Sequence, residues 1–344
     1  MTNSCAPLSE AAQSQAEGFP SVAIMAVYFG ALPPYFELWL DSCGYNPKFD
    51  WLLFTDAEVS GYAPPPNVHF RQLTLEGFSQ RINAALGLQC RIGSAYKVCD
   101  FRPVFWVLLN GEPRAYDFWG HCDLDMIFGD LERFITNDLL ARFDKIFSVG
   151  HLTLYRNCEL ANNMFSCPDP DNYWRAVLSD PNHRGFDEHI GVNRIWRAHR
   201  GRVFEDEGLI ADIDPAIARF ELVAPRRNYQ RQLFYFDRGH VFRGYCRGAE
   251  WCEEEFMYIH FQKRAMGHLP NRGASRYAVS ANGFYELPRG APLEAIADDL
   301  NPNCLSLRES FHRWRCTLRH LRSISTLTYK AFQSFSAVRR SNDA

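Results

Sequence analysis

Apolar and polar positions alternate in a regular way along the first 150 residues. Four apolar runs predict buried strands: residues 21–28, 49–54, 68–70 and 115–122. Three segments between them have the spacing of helices: residues 35–43, 79–87 and 97–109. Strands that alternate with helices indicate the α/β class, so we expect a mostly parallel sheet flanked by helices.

The second half has a more mixed pattern, and we expect an α+β arrangement there. Three segments predict strands: residues 145–150, 152–155 and 255–261. Two segments have helical spacing: residues 171–179 and 187–199. A hairpin over residues 233–245 is predicted to turn at Arg238-Gly239. We interpret the acidic run Glu250–Glu255 as a solvated turn before the last strand.

These patterns suggest three regions along the chain. Residues 1–20 are polar and acidic, and we expect them to be disordered. Residues 21–270 form the main domain, with a first part at about 21–150 and a second part at about 151–270. Residues 271–344 form a C-terminal extension, in which residues 302–340 resemble a basic amphipathic helix or helix pair.

Composition places the chain among ordinary globular proteins, with 47% hydrophobic and 22% charged residues. The net charge of −3 hides an asymmetry, because residues 305–344 carry +6. Such a tail suits peripheral contact with an anionic membrane surface, and it equally suits a solvated helix or one packed on the body. We expect no nucleic-acid partner.

Two further features bear on the location of the protein. The first 20 residues lack the basic and apolar regions of a signal peptide, and Pro33-Pro34 and Glu37 interrupt the longest apolar stretch. The eleven cysteines are scattered, with no CxxC pair. We therefore expect neither a disulfide framework nor a zinc site, and we expect a cytoplasmic protein, with the membrane's inner face as a peripheral option.

Candidate site residues stand at the carboxyl ends of three of the predicted strands. They are Tyr28 and Phe29, Thr55 and Asp56, and Asp123 with Asp125. Ligands of open α/β sheets bind at the carboxyl ends of the strands, so these residues are expected to share one site. Residues i and i+2 of an extended backbone face the same way, and the carboxylates of Asp123 and Asp125 can approach one hard cation. Such a cation stabilises a departing diphosphate.

Several phrases of the sequence resemble the GT-A-fold glycosyltransferases. They include Ala95–Arg102, Tyr116–Asp125 and Gly129-Asp130-Leu131. A closer resemblance is to a bacterial family grouped with the glycosyltransferases, through the phrases Asn46–Asp56, Asp117–Asp125 and His151–Asn157. The resemblance covers roughly residues 21–265 and implies a GT-A-like fold with an Asp-x-Asp metal site. It also implies that residues of about 21–150 bind the nucleotide and that those of about 151–270 bind the acceptor.

The resemblance also implies roles for individual residues. Asp123 and Asp125 correspond to the pair that binds Mn²⁺ or Mg²⁺ and the diphosphate. Lys97, Asp100 and Arg102 correspond to helix residues that face the donor sugar and phosphates. The loops at Tyr28, Phe29, Thr55 and Asp56 correspond to those that enclose the nucleotide. Many relatives have Gly-Gly before the acidic pair, where this chain has Phe118-Trp119-Gly120.

Two later segments correspond to further parts of such a site. His260 resembles a histidine that completes the metal shell, and Lys263 a lysine that neutralises diphosphate charge. Asp187 and Glu188 are candidates for activating the acceptor. The alternative for His260 is a purely structural role at the end of a strand. The alternative for Asp187 and Glu188 is that their negative charge stabilises the N-terminus of a helix.

The expected function is metal-dependent transfer of a sugar from a nucleoside-diphosphate sugar, preferably UDP-linked, to a glycan or lipid-linked acceptor. Synthesis of a bacterial surface polysaccharide is the expected setting. Two alternatives remain open: a sugar nucleotidyltransferase, and an inactive transferase fold that binds carbohydrate. The loop Gly30–Pro34 lacks the basic residues usual in nucleotidyltransferases, and the acids at positions 123 and 125 disfavour an inactive protein.

Overall fold

The computed structural model describes residues 18–168, 173–188 and 191–317. The chain divides into two compact units. The first contains the described residues up to Ile210 together with Arg238–His240, and the second contains Ala211–Asp237 and the described residues from Val241 onward. The expectations for residues 1–17 and for the tail beyond residue 317 lie outside the described residues.

The first unit is built around a mostly parallel sheet. Its strands are β1 (Val22–Tyr28), β2 (Phe49–Thr55), β3 (Val68–Gln72), β4 (Phe118–Cys122), β5 (Met126–Phe128), β6 (Lys145–Val149), β7 (Leu152–Arg156) and β8 (Val203–Phe204). Seven of them form one sheet in the order β3-β2-β1-β4-β7-β6-β8. The pairs β1–β2, β1–β4, β2–β3 and β6–β8 are parallel, whereas β4–β7 and β6–β7 are antiparallel.

Helices flank this sheet, which confirms the predicted fold class. The α-helices are α1 (Phe36–Gly44), α2 (Leu75–Leu86), α3 (Leu131–Phe134), α4 (Asn137–Arg142), α5 (Glu159–Asn163), α6 (Trp174–Ser179) and α7 (Val192–Ala198). The 3-10 helices are Ala95–Leu109, Met164–Ser166 and Glu207–Leu209. The first of these contains Pro103, whose ring nitrogen cannot donate the hydrogen bond that an α-helix requires there.

Strand β1 lies in the interior of the sheet, between β2 and β4, and both of its faces are apolar. Its first five residues are fully buried. One face joins a core in which Met25 packs with Phe101 and Trp119. The aromatic group Phe36, Trp39, Trp51 and Phe128 packs elsewhere in this unit, with 4.4 Å between the ring centroids of Trp51 and Phe128. A strand covered on both faces reads as a continuous apolar run rather than an alternating one.

The second unit is organised around an antiparallel sheet. Its strands are β9 (Ile210–Asp212, beginning at the unit boundary), β10 (Gln232–Asp237), β11 (His240–Arg247), β12 (Glu250–Phe256), β13 (Tyr258–His260), β14 (Arg276–Ser280) and β15 (Gly283–Glu286). Five of them form a sheet in the order β12-β11-β10-β14-β15. Helix α8 (Leu293–Leu300) places Ala297 in a core with Leu233, and helix α9 (307–317) follows. A 3-10 helix spans Pro225–Arg227.

The acidic run Glu250–Glu255 belongs to strand β12, so its interpretation as a turn was wrong. Arg243 of β11 lies opposite Glu254 and forms an ion pair with it. The phenol of Tyr235 donates a hydrogen bond to Glu253 Oε1 at 2.5 Å. Opposite charges on neighbouring strands stabilise a sheet, and this pairing between strands is not visible in the local sequence. The sequence predicted residues 255–261 as the last strand, but strands β14 and β15 follow it.

The tail helix begins later than predicted. Residues 302–306 are not helical, and α9 starts at residue 307. Leu307, Phe311 and Trp314 expose much of their surface on this helix. No helix in the described ranges combines the length and the apolar character of a membrane span. The remaining tail positions that were predicted to be amphipathic lie outside the described residues.

Gly120 in β4 should be intolerant of a side chain. A Cβ there would lie 2.4 Å from both the Thr153 carbonyl oxygen and Leu154 Cδ2 on the neighbouring strand. We expect Gly120→Ala to lower the free energy of unfolding by about 1–3 kcal/mol, measured by urea denaturation. Gly61→Ala is the matched control, because nothing lies within 4 Å of its Cβ position. Equal stability of the two variants would contradict this packing.

Candidate functional site

The acidic pair follows strand β4 at the carboxyl edge of the parallel sheet. Strand β1 lies between β2 and β4, with Tyr28 opposite Thr55. All three strands run in the same direction, so their carboxyl ends share one edge. Burial and the nearby charge of Asp125 raise the pKa of Tyr28, which places the phenol near this carboxylate. Tyr28 and Asp125 are therefore close enough for their charges to interact, and their roles toward a nucleotide and a metal remain predictions.

The backbone of Asp123 is anchored on both sides. Its N–H donates to the His151 carbonyl oxygen at 3.1 Å, and its own carbonyl accepts a hydrogen bond from the Trp39 indole at 3.2 Å. The side chain retains 26% of its exposure. Asp123 thus has a fixed backbone and a carboxylate that solvent and ligands can reach.

Arg102 joins two acidic residues from distant parts of the sequence. Its guanidinium pairs with Asp123 Oδ1, and its Nη1 lies 2.6 Å from Asp187 Oδ2. Burial alone lowers the pKa of Arg102, but the two carboxylates outweigh it and raise that pKa well above its usual value. Gly150 leaves room for the bridge, because a Cβ there would lie 3.3 Å from both Arg102 Nη1 and Asp187 Oδ2.

Asp187 keeps one oxygen without a hydrogen bond. The residue is 5% exposed, and its Oδ1 atom has no hydrogen-bond partner among the described residues. Burial raises the pKa of Asp187, while the charge of Arg102 acts in the opposite direction. A buried oxygen without a partner is costly unless a ligand or water uses it. Asp187 therefore offers an acceptor next to the Arg102 bridge.

A buried ion pair between Lys97 and Asp100 supports the loop that carries Asp187. Asp100 accepts hydrogen bonds from the backbone N–H groups of Arg184 and Phe186, each at 2.8 Å. Lys97 Nζ donates to Asp100 Oδ2 at 2.7 Å and to the carbonyl oxygens of Val177 and Asn182. These three acceptors use every hydrogen of the ammonium group. We therefore assign Lys97 and Asp100 to positioning Asp187 rather than to contact with a donor.

A second buried lysine supports the same loop from strand β6. Lys145 Nζ donates to Asn193 Oδ1 and lies 5.4 Å from the Tyr155 ring centroid. Asn193 Nδ2 in turn donates to the carbonyl oxygens of Ser148, at 2.8 Å, and of Asp187, at 3.4 Å. Burial lowers the pKa of Lys145 from 10.5 to about 7. Sequence reasoning missed this role, because Lys145 is only the first residue of a short apolar strand.

The residues expected to enclose a nucleotide separate into two groups. Asp56 is exposed, and its Oδ1 accepts a hydrogen bond from the Gly30 N–H at 2.7 Å, which ties together the loops after β1 and β2. Thr55 is buried, and its hydroxyl accepts from the Ala57 N–H at 3.1 Å. Phe29 packs in the core, 6.0 Å from Phe78 between ring centroids. Of these three residues, Asp56 has its side chain at the surface of the edge, and Thr55 and Phe29 are buried.

His260 and Lys263 belong to the second unit. His260 Nδ1 lies 2.8 Å from Asp212 Oδ1, which also accepts a hydrogen bond from Gln262 Nε2. A carboxylate on one ring nitrogen is the usual support of a metal-ligating histidine. Lys263 is exposed and has a left-handed backbone, with φ 46°. Their contribution to the metal and diphosphate site remains a prediction.

Sequence reasoning missed Asp212. The residue ends the short apolar strand β9, which is the same strand-then-acid pattern that singled out Asp123. The pattern was overlooked because the strand has only three residues.

The structure disfavours the alternative interpretation of Asp187 and Glu188. Helix α7 begins at Val192 with Gly191 as its N-cap, so neither acid lies in the first helical turn. The macrodipole acts mainly within that turn. Glu188 is exposed, in contrast to Asp187. Of the two, Asp187 is the one that contacts Arg102.

Residues before the acidic pair serve the core. Trp119 is buried, stacks on Tyr155 with 4.4 Å between centroids, and donates from its indole to Asn162 Oδ1 at 2.7 Å. Burial lowers the pKa of His121 well below its usual value, which keeps the imidazole neutral. Trp119 therefore belongs to the core of the first unit, where Asn162 satisfies its indole N–H.

The positioning role of Lys97 leads to a stability prediction. Lys97→Met leaves Asp100 buried without its counter-charge, and we expect a loss of about 3–5 kcal/mol in the free energy of unfolding. The control is Lys48→Met, which breaks a solvent-exposed pair with Glu132 and should cost about 1 kcal/mol or less. If Lys97 instead served only a donor phosphate, Lys97→Met would match the control in urea denaturation.

The pKa of Lys145 predicts a dependence of stability on pH. Between pH 7 and 10.5 the unfolded chain binds more protons at this site than the folded chain. Stability from this group is therefore present at high pH and lost as the pH falls through the folded pKa. We expect the stability difference between Lys145→Met and the wild type to change by about 1.4 kcal/mol per pH unit in this window, in the variant's favour toward neutral pH.

Urea denaturation across this pH range measures that difference. Lys48→Met serves as the control, because the same substitution removes a half-exposed lysine. A flat difference for Lys145→Met would contradict a depressed pKa.

Three solved structures are similar to part of the chain. Mouse xyloside xylosyltransferase 1, in its apo form, has 9% identity and a TM-score of 0.36, with 56% of this chain and 88% of that chain covered. The galactosyltransferase LgtC, with donor and acceptor sugar analogs, has 10% identity and a TM-score of 0.32, with 55% and 75% covered.

The third structure is a glycosyltransferase involved in glycosylation of the major capsid of PBCV-1. It has 9% identity and a TM-score of 0.31, with 56% of this chain and 86% of that chain covered. No curated protein matches the chain in sequence. One family profile matches residues 24–288, which is most of the chain. The chain therefore belongs to DUF6625, a family of unknown function.

Proposed function

We propose that the protein is a metal-dependent glycosyltransferase that uses a nucleoside-diphosphate sugar, with a UDP-sugar as the first candidate. The observation that carries this proposal is the position of Asp123 and Asp125 at the carboxyl edge of β1, β2 and β4, with Asp123 bridged through Arg102 to Asp187. The resemblance of the surrounding phrases to GT-A enzymes supports the same conclusion.

The residues at this edge fit a hard divalent cation. Mn²⁺ and Mg²⁺ prefer oxygen ligands such as carboxylates. Asp123 and Asp125 supply two carboxylates with one residue between them. The guanidinium of Arg102 pairs with Asp123 and Asp187, and the carboxylate of Asp125 is a third acidic group at this edge, near Tyr28. When bound, the cation would neutralise charge on the diphosphate of the donor.

The protein's own residues divide the remaining tasks. Arg102 bridges Asp123 and Asp187, and it carries a permanent positive charge suited to phosphate oxygens. Asp187 offers its second oxygen to a hydroxyl group of the sugar or the acceptor, and its raised pKa makes it a better base than an ordinary aspartate. Tyr28 and Asp56 lie on the exposed side of the edge, where they suit contact with the nucleotide.

This assignment gives Asp187 precedence over Glu188. Asp187 is fixed by Arg102 and by the loop contacts of Asp100, whereas Glu188 is exposed at the same loop. A catalytic group must be held in place to contribute efficiently, and only Asp187 meets this condition. His260 and Lys263 complete the proposal as the metal ligand and the phosphate-binding lysine.

A thermal-shift experiment tests the proposal. UDP, UDP-sugars and other nucleotide sugars are added to the full chain with and without Mn²⁺, and the melting temperature is measured. A ligand at 100 times its Kd stabilises the folded protein by about 2.7 kcal/mol, which a melting curve resolves. We expect a shift that needs both the nucleotide and the metal, followed by slow donor hydrolysis detected as released nucleoside diphosphate.

Matched variants make the result specific. Asp125→Ala should abolish the metal-dependent part of the shift. Asp138→Ala removes the same charge from an exposed pair with Arg142 and should leave the shift intact. The proposal fails if no nucleotide with metal stabilises the protein. A shift that persists in Asp125→Ala would place the metal elsewhere.

A further inference from the structure

The second unit contains three metal-ligating side chains of different chemistry. Asp214 Oδ2 lies 3.2 Å from His312 Nε2, and His312 Nε2 lies 3.4 Å from Cys316 Sγ. The three ligand atoms all lie within 4.8 Å of one another. An oxygen, a nitrogen and a sulfur ligand thus meet at one point from residues about 100 positions apart.

Two separate elements present these ligands. His312 and Cys316 are four residues apart on α9, so they share one face of the helix. That helix is docked at its start, because Glu309 Oε1 accepts a hydrogen bond from the Ala218 N–H at 2.6 Å. The other face carries the exposed Phe311 and Trp314. The polar pair is therefore directed to the body of the unit.

Asp214 is preorganised independently of the helix. Its Oδ1 accepts a hydrogen bond from the Ala216 N–H at 2.9 Å, and its carbonyl accepts one from Arg264 at 2.8 Å. Its own N–H donates to the Glu221 carbonyl at 2.8 Å. With Oδ1 engaged, the other oxygen is the one that lies near His312. This gives a carboxylate fixed in the orientation of a monodentate ligand.

The separations suit a tetrahedral zinc ion. Zinc binds His nitrogen and Asp oxygen at about 2.0–2.2 Å and Cys sulfur at about 2.3 Å, which places tetrahedral ligand atoms roughly 3.3–3.6 Å apart. The observed 3.2 and 3.4 Å are close to these values. A thiolate with an imidazole and one carboxylate is a donor set that favours zinc over Mg²⁺ or Ca²⁺.

We propose that Asp214, His312 and Cys316 form a zinc site whose fourth position opens to a cavity. His312 lines a cavity of about 620 Å³ together with Arg264, Arg308 and Glu309. Three protein ligands with an open position are the pattern of zinc sites that bind water or an exogenous ligand. The exposed Arg308 at the cavity suits a small anion, such as a carboxylate, as that ligand, whereas Arg264 donates to backbone carbonyl oxygens.

This site contradicts the expectation from cysteine spacing. The sequence contains no CxxC pair, and for that reason no zinc site was expected. The ligands come from three residue types, and only the pair His312 and Cys316 is close in sequence. The site is also independent of the proposed glycosyl transfer, because all three ligands lie in the second unit and none belongs to the acidic pair.

Cobalt binding tests the proposal on the full chain. Co²⁺ substitutes for zinc, and a thiolate ligand produces a charge-transfer absorption band in the near ultraviolet. After treatment with EDTA, titration with Co²⁺ should produce this band with one equivalent per chain, and Zn²⁺ should remove it. Cys316→Ser should abolish the band, and Cys304→Ser, which removes an exposed cysteine of the same unit, should leave it unchanged.

Two further variants keep the result interpretable. Loss of a residue that only hydrogen-bonds a metal ligand weakens metal binding by about 10–100-fold. His312→Gln and Asp214→Asn remove ligands themselves, so each should weaken zinc binding by more than this. Asp125→Ala should leave the band unchanged, which separates this site from the proposed Mn²⁺ site. Circular dichroism shows whether each variant is folded. Absence of the band in the wild type, or its survival in folded Cys316→Ser, would overturn the proposal.

Discussion

The first unit depends on one mostly buried guanidinium that two carboxylates share. Arg102 joins Asp123, which follows a central strand, to Asp187, which lies 64 residues later in a loop. Two carboxylates at this depth would repel each other and would each pay for lost hydration without a cation between them. The position of Gly150 follows from this bridge, since a side chain there would press on the guanidinium and on Asp187.

Two buried lysines support the loop that carries Asp187, which is one end of the bridge. Lys97 neutralises Asp100, which binds the backbone of the Asp187 loop, and Lys145 holds Asn193, which binds the Asp187 carbonyl. Neither lysine has exposed surface to offer a ligand. The resulting loop is preorganised, so a bound substrate would not have to order it. The proposed role of Asp187 requires this low loss of conformational entropy on binding.

The second unit uses charge differently. On its sheet, Arg243 neutralises Glu254 across two strands and lies near several aromatic rings, so an acidic segment becomes a stable strand. At its C-terminal helix, polar side chains on one face meet Asp214 while aromatic side chains on the other face stay exposed. The first arrangement stabilises the unit, and the second brings together ligands of a soft divalent metal.

The sequence by itself determined the α/β class of the first unit, the central strand and the acidic pair at a strand end. These features are local, because hydrophobic period and the residues after a strand can be read within a short window. Only the tertiary structure decided that Lys97 and Asp100 position a loop, that the run at Glu250 is a strand, and that Asp214 meets His312. Each of these depends on a partner far along the chain, and the free energy of a buried charge is decided by that partner and not by its sequence neighbours.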